Sequence, residues 1–146
     1  MIRLQSPDFA SLAYIAVNMR QADKDEIYNV LGHNNPFILA QQTLDASRMG
    51  QCVVASGRDG RPVAVLGFVV RHPNVCQAYA FATASFGDVA LTLTRYALRV
   101  MKPALIASGF HRIECESRAD HHNAHRWLEA LGFQREGILR RYGSDG

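Results

Sequence analysis

The stretch that most constrains the fold is residues 109–142, where one periodicity gives way to another. Its first part alternates apolar and charged residues, which is typical of a strand that borders a site. Apolar residues then recur at helical spacing, and Gly132 stands where a left-handed C-terminal residue is needed. A strand, a polar turn, a short helix and a further strand are predicted. The apolar members are Phe110, Ile113 and Cys115 in the strand and Ala124, Trp127, Leu128 and Leu131 in the helix.

Length and composition predict one domain, residues 1–146. The chain is 48% hydrophobic, enough for a sizeable core, and no low-complexity linker divides it. It has no apolar run of membrane-spanning length and no signal-peptide core at its N-terminus, so a cytoplasmic protein is expected. Its cysteines, Cys52, Cys76 and Cys115, are odd in number and far apart, so they are interpreted as reduced thiols.

The net charge of +3 comes from 16 basic and 13 acidic residues. This small excess favours an anionic ligand only mildly and does not indicate nucleic acid. Four arginines near the C-terminus are interpreted as an ordinary charged surface rather than a phosphate-binding patch. They are Arg126, Arg135, Arg140 and Arg141.

The first third of the chain predicts a short strand and then three helices. Residues 2–5 alternate as a strand does, and Ser6 is the expected N-cap of the first helix. Asp23, with Glu26 three positions later, has the spacing of a capping box that begins the second helix. Asn35, followed by proline, predicts the start of the third.

The middle of the chain predicts an antiparallel sheet and then a long helix. Residues 51–56, 62–70 and 75–82 are rich in β-branched residues, and an Asp-Gly pair predicts a hairpin between the first two. Asp88 is the expected N-cap of a helix whose apolar stripe continues over about four turns, to residue 104.

This order of elements predicts an α+β (mixed α/β) fold with a mostly antiparallel sheet flanked by helices. The connection of strand, long helix and strand makes two neighbouring strands parallel. Residues 137–142 can continue a strand, but nothing follows that pairs with it. The resulting open sheet edge is expected to receive another chain, either a second copy or a different partner.

With these elements in this order, the sequence resembles the GNAT N-acetyltransferase superfamily. The resemblance implies a GNAT-like fold and direct transfer of an acetyl group from acetyl-CoA to the amine of a small molecule or a protein. The residues that carry it are Ala124, Trp127, Leu128, Leu131, Gly132, Phe133, Arg135, Glu136 and Gly137.

The resemblance also implies a set of cofactor contacts. Backbone groups near the end of the third sheet strand would hold the pantetheine and the thioester oxygen, and the loop before the long helix would receive the pyrophosphate. Asn123 would contact the cofactor from the short helix. The strand residues are Phe81, Ala82 and Thr83, and the loop residues are Phe86, Gly87, Asp88 and Val89.

Two departures from the family pattern stand in this region. The loop has one glycine, no Arg or Gln to open the motif, and a carboxylate at Asp88, which as an N-cap would occupy the N–H groups that a phosphate needs. Many members carry a tyrosine that protonates the leaving thiolate where this chain has Leu128. The usual asparagine position falls on His121.

Acetyl transfer requires a base for the ammonium group of the acceptor. Glu114, Glu116 and His121 are the candidates, and a solvated strand face is the alternative reading of both glutamates. Tyr79 and Tyr142 are candidate replacements for the missing acid, with packing at a sheet edge as the alternative.

Histidines near the start of the short helix raise the question of a metal. His121 and His125 are four residues apart, and Cys115 lies upstream. No cysteine or carboxylate stands at a second characteristic spacing, so polar capping is the preferred interpretation and no metal is expected.

A narrower resemblance is carried by residues 25–27, by Trp127-Leu128 and by the Leu131-Gly132-Phe133 run. These segments are similar to divergent GNAT-like proteins of tailed phages, including the internal virion protein A family. That resemblance implies a non-catalytic binding or virion-assembly role in the host cytoplasm. An acetyltransferase and a non-catalytic GNAT-fold protein are therefore the two functions that the sequence leaves open.

Overall fold

The computed structural model describes residues 1–144, and one mixed sheet with the order β1-β2-β3-β4-β5 organises them. The strands are β1 (Arg3–Gln5), β2 (Gly50–Ser56), β3 (Pro62–His72), β4 (Val75–Ala82) and β5 (Arg112–Glu114). The helices are α1 (Phe9–Val17), α2 (Gln21–Leu31), α3 (Pro36–Ser47), α4 (Phe86–Tyr96), α5 (Lys102–Ala107) and α6 (His122–Ala130). A π-helical turn, Ala97–Met101, joins α4 to α5 as one long helix. The predicted mixed α+β class is confirmed.

The sheet is antiparallel from β1 to β4, and β5 is added in parallel to β4. The long helix forms the connection between β4 and β5, as the sequence predicts. The predicted hairpin between β2 and β3 is also present, with Gly60 at a φ of 82°. Within residues 1–144, no helix combines the length and the hydropathy needed to cross a bilayer.

Side chains of the sheet alternate between two apolar cores on opposite faces. Val53 and Ala55 pack with the long helix, whereas Val54 packs with α1 and α3. Val89 and Leu93 of the long helix are fully buried against the first face. The sheet is thus covered on both sides.

β4 and β5 separate after three paired positions. Their ladder ends at Gln77 and Glu114, whereas β4 continues to Ala82, and within residues 1–144 no further rung joins these two strands. The chain beyond β5 is held towards α2, because Glu26 accepts hydrogen bonds from the Ser117 hydroxyl and the Arg118 N–H. We call the gap between Ala78–Ala82 of β4 and the chain after Glu114 the slot.

Three of the predicted helix starts are wrong, and the first two are those of α1 and α2. The N-cap of α1 is Asp8, not Ser6, because its carboxylate accepts the Ser11 N–H at 2.8 Å. α2 begins at Gln21, so Asp23 is the third residue of the helix and is buried rather than capping it. The prediction for α3 is confirmed, since the Asn35 side chain accepts two backbone N–H groups of the first turn.

Asp88 is not the N-cap of the long helix either. Ser85 occupies that position, and Asp88 is the third residue of α4, with its own N–H donated to the Ser85 carbonyl at 2.9 Å. The carboxylate therefore lies on the exposed first turn instead of closing the helix end.

The strand predicted after α6 is not formed within residues 1–144. Gly132 has the expected left-handed φ of 97°, but side-chain contacts rather than a backbone ladder hold the segment that follows. Glu136 makes a bidentate pair with Arg112, with oxygen to nitrogen distances of 2.7 and 3.1 Å. Ser144 donates its N–H to the Asn29 carbonyl of α2. The outer edge of β5 thus has no strand beside it in the described part of the chain.

The burial pattern of the long helix predicts a difference in stability between two leucines. Leu93→Ala removes a fully buried side chain and is expected to lower the free energy of unfolding by about 2 to 5 kcal/mol. Leu91 of the same helix is 61% exposed, so Leu91→Ala is the matched control, with a change within about 0.5 kcal/mol. Urea unfolding measures both, and equal losses would contradict the packing described.

Candidate functional site

A carboxylate from α2 closes the far end of the slot. The N–H of Ala82 donates to Oδ2 of Asp23 at 2.8 Å, and the carbonyl of Ala82 accepts the Arg20 N–H at 2.9 Å. A bridge between Met19 and Thr83 brings the start of α2 to this point. Both backbone groups of Ala82 are therefore bonded within the chain.

Arg20 fixes this carboxylate in place. Its Nη2 donates to both oxygens of Asp23, at 3.0 and 2.9 Å, and its Nε donates to Oδ2 at 3.2 Å. The guanidinium also lies over the Phe86 ring, 4.8 Å from the centroid. Arg20 thus links the start of α2 to the start of the long helix.

His121 lies between two carboxylates of α2. Its side chain is 8% exposed, its Nδ1 is 2.9 Å from Glu26 Oε2 and its Nε2 is 3.6 Å from Asp23 Oδ1. Asp23 and Glu26 share one face of α2 because residues three apart on a helix are neighbours. We call Asp23, Glu26 and His121 the α2 clasp.

Burial sets the protonation of the groups around the clasp. Desolvation raises the pKa of Asp23 above its ordinary value, against the opposing effects of Arg20, of the Ala82 N–H and of His121. Burial, with smaller effects of Glu26 and Glu116, raises the pKa of the Cys115 thiol to about 12. At neutral pH Cys115 is therefore a thiol rather than a thiolate nucleophile.

An apolar cavity of about 270 Å³ lies between the long helix, α6 and the two parallel strands. Lys102 and His111 are the basic side chains in its wall. The Trp127 indole donates to the Thr94 hydroxyl at 2.8 Å and packs edge-on against Phe86, which fixes α6 against the long helix. Apolar lining residues include Ala78, Ala80, Leu98, Ile113, Leu128 and Phe133.

Among the predicted bases, His121 lies at the slot. Glu114 is at the other end of the slot, at the last paired position of β4 and β5, where it pairs with Arg112 at 3.0 Å and with Arg71 at 3.7 Å. Glu116 accepts a hydrogen bond that raises the pKa of Tyr142, whose side chain is about half exposed. His121 therefore has the strongest structural support of the candidates.

The predicted cofactor contacts fall into two groups. Phe81 is buried on the α1 side of the sheet, and Thr83 donates its N–H to the Val63 carbonyl. In the loop, Val89 is a core residue, while Gly87 faces open space.

Phe86 and Asn123 are the two other residues predicted to contact the cofactor. Phe86 packs under Arg20 and beside Trp127. Asn123 is exposed and accepts a hydrogen bond from Arg126.

His125 is engaged at both ring nitrogens. Nε2 is 2.9 Å from the Arg118 carbonyl, and Nδ1 is 3.1 Å from Arg135. Over residues 1–144, no three His, Cys, Asp or Glu side chains form a group that can hold a metal ion.

One backbone donor that the cofactor implied by the fold would use is already occupied in the arrangement described here. A thioester oxygen placed at Ala82 would need an N–H that already donates to Asp23. Asp23 and Glu26 are the site residues that sequence reasoning missed. Their spacing was a visible signal, but the spacing that puts two acids on one helix face is also that of a capping box.

Among the comparisons with known proteins, only those with solved structures give matches, and these support the fold. The sequence matches no family model, and no curated protein matches it. Solved acetyltransferase structures do match. The ribosomal-protein-S18-alanine N-acetyltransferase from Escherichia coli has a TM-score of 0.67 at 16% identity, over 97% of this chain and 83% of that one.

Two further solved structures match this chain at similarly low sequence identity. A ribosomal-protein-alanine N-acetyltransferase from Brucella melitensis has a TM-score of 0.69 at 14% identity, covering 97% of this chain and 90% of that one. An aminoglycoside acetyltransferase in complex with coenzyme A and kanamycin has a TM-score of 0.65 at 17% identity, covering 100% and 90%.

These neighbours define a class of mixed α+β acetyltransferase folds. Within that class, this chain has a GNAT-like fold, with the mixed sheet and the parted parallel strands described above. The likeness at these identities is one of fold.

The pKa of Asp23 predicts how stability depends on pH. Because the pKa of Asp23 is raised in the folded state, its contribution to the free energy of unfolding is fully present below the ordinary value of 3.8. That contribution is lost as the pH rises through the folded-state pKa. The wild type is therefore expected to lose stability relative to Asp23→Asn as the pH rises from 3.8 towards neutral. Urea unfolding at a series of pH values measures this difference.

Asp25→Asn, at an exposed position on the same helix, is the control for replacing a carboxylate by an amide. A wild type that gains stability relative to Asp23→Asn over this interval would mean that pairing with Arg20 outweighs burial.

Proposed function

We propose that the protein is an N-acetyltransferase of the GNAT type, which takes the acetyl group of acetyl-CoA to an amine. The observation that carries this proposal is His121, a buried histidine that contacts Asp23 at the end of the slot of a GNAT-like sheet, with Glu26 at 2.9 Å from Nδ1. A histidine held in this way can accept a proton from an ammonium group.

In this proposal each member of the α2 clasp has its own role. Glu26 accepts the Nδ1–H of His121 and so fixes the tautomer in which Nε2 is the base. Nε2 is 3.6 Å from Asp23 Oδ1, and an acceptor amine would release its proton to Nε2. Acetyl-CoA supplies the activated acetyl group.

The remaining site residues belong to the same proposal. The backbone near Phe81, Ala82 and Thr83, the loop residues Phe86, Gly87, Asp88 and Val89, and Asn123 would contact the cofactor. Glu114 and Glu116 remain alternative bases, and Tyr142 an alternative acid. They are weaker candidates than His121, because Glu114 is paired with two arginines, Glu116 accepts a hydrogen bond from Tyr142, and Tyr142 is about half exposed.

The acceptor is an amine of a small molecule or of a protein. Structural neighbours of this chain include enzymes named for ribosomal-protein alanine and one solved with kanamycin. The slot therefore belongs to a fold whose solved examples act on both kinds of amine.

A non-catalytic role is the second candidate, and the hydrogen bond between Asp23 and Ala82 favours it. A GNAT-like fold whose cofactor position is filled can serve as a binding or virion-assembly component, as the resemblance to phage proteins suggests. The open edge of β5 would then receive a partner strand. A strictly monomeric sedimentation profile at high concentration would count against strand exchange between copies.

The test of catalysis is a matched pair of histidine variants. His121→Gln removes the proposed base and should lower kcat by about 10² to 10⁴-fold, measured as CoA thiol released with a panel of amines. His122→Gln, at the exposed next position, should leave kcat unchanged.

Equal rates for the two variants would remove His121 from the mechanism. No thiol release from the wild type with any amine, together with no heat of binding at millimolar acetyl-CoA, would leave the second candidate.

A further inference from the structure

We propose that Asp23 is a built-in occupant of the position that an acyl oxygen would take at Ala82, and that it thereby sets the affinity of this protein for acyl thioesters. This inference rests on the proposed function, because it concerns the same slot. It reconciles a GNAT-like fold with a slot in which one backbone donor is already occupied.

The first support is the quality of the existing hydrogen bond. The Ala82 N–H has one hydrogen to donate, and the acceptor at 2.8 Å is a carboxylate oxygen. Hydrogen bonds to ionised acceptors are roughly twice as strong as those between neutral groups. A neutral thioester carbonyl is therefore the weaker competitor for this donor.

The second support is the number of contacts that hold the carboxylate. Arg20 donates three hydrogen bonds to it, and His121 approaches its other face at 3.6 Å. The residue is 3% exposed. A ligand that displaces Asp23 must also leave Arg20 and His121 without their partner.

The third support is that the backbone itself delivers Asp23 to this position. The Arg20 N–H donates to the Ala82 carbonyl, and Met19 bridges Thr83, so the residues immediately before α2 run beside the end of β4. Three residues after Arg20, the first turn of α2 directs the side chain of Asp23 back to Ala82. The arrangement is thus a property of the chain path and not of one rotamer.

The consequence is a specific effect on ligand choice. Acetyl-CoA differs from CoA only in the acetyl group that replaces the thiol hydrogen, so only acetyl-CoA has an acyl oxygen that competes with Asp23 for the Ala82 N–H. The wild type is expected to bind the two ligands with similar affinity. Removing the carboxylate should improve the binding of acetyl-CoA alone.

Calorimetry with acetyl-CoA and CoA on the wild type and two variants tests this. Asp23→Ala frees the Ala82 N–H and should tighten acetyl-CoA binding by about tenfold, the effect of one net hydrogen bond, with CoA little changed. Asp23→Asn keeps an oxygen that accepts from Ala82 but removes its charge, so it is the matched control and should tighten acetyl-CoA binding less than Asp23→Ala does. Thermal unfolding establishes that each variant is folded.

Three results would overturn the proposal: an unchanged acetyl-CoA affinity in Asp23→Ala, an equal gain for CoA, or the same gain in Asp23→Asn. If the alanine variant does not fold, the ¹³C carboxyl signal of Asp23 in the wild type decides instead. It should respond equally to the two ligands, and a movement seen only with acetyl-CoA would show that the acyl oxygen displaces Asp23 readily.

Acetyl transfer to amines, measured on the same proteins, separates this inference from the proposed function. Tight binding of acetyl-CoA by Asp23→Ala without transfer to any amine would support the inference and reject catalysis. A wild type that transfers acetyl groups and binds acetyl-CoA far more tightly than CoA would keep the function and reject the inference.

Discussion

The structure of the site depends on the early separation of β4 and β5. After the pair of Gln77 and Glu114, the ladder between β4 and β5 ends, and the chain beyond β5 turns towards α2. Glu26 holds it there, because one carboxylate oxygen accepts from Ser117 and from the Arg118 N–H and lies 2.9 Å from Nδ1 of His121. One carboxylate therefore anchors both the chain beyond β5 and the histidine.

The face of α2 that carries Glu26 also carries Asp23, whose carboxylate lies at the end of the slot. A buried carboxylate is costly unless it is paired and hydrogen-bonded, and Asp23 is satisfied by Arg20 and by the Ala82 N–H. These partners come from different parts of the fold, so the arrangement is specific as well as satisfied. The GNAT-like sheet thus retains its slot, but the Ala82 N–H in it is hydrogen-bonded to Asp23 of the same chain.

Local signals predicted most of the framework. The β-branched runs, the hairpin at Gly60 and the proline-marked start at Asn35 act over a few residues, and each is found where the sequence places it. Gly132 has its left-handed conformation for the same reason. The order of elements was enough to give the fold class and the resemblance that the solved structures support.

The site could not be predicted in this way because its contacts are distant in sequence. Glu26 and His121 are 95 residues apart, and Asp23 and Ala82 are 59 apart. The spacing of Asp23 and Glu26 also satisfies a local rule, the capping box, which tertiary contacts override here. The strand predicted after α6 is wrong for another reason. The sequence there has a strand-like pattern, but the segment is held by side-chain pairs such as Arg112 with Glu136 and not by a backbone ladder.

The most direct measurement of the central claim is a pH titration of ¹⁵N-labelled wild-type protein that follows the amide proton of Ala82. A proton donated to the Asp23 carboxylate should lie downfield and shift with a single apparent pKa above 3.8, the ordinary value for aspartate. An Ala82 amide signal that stays constant while the carboxyl signal of Asp23 titrates would show that the two groups are not bonded, and the account of a slot closed from within would fail.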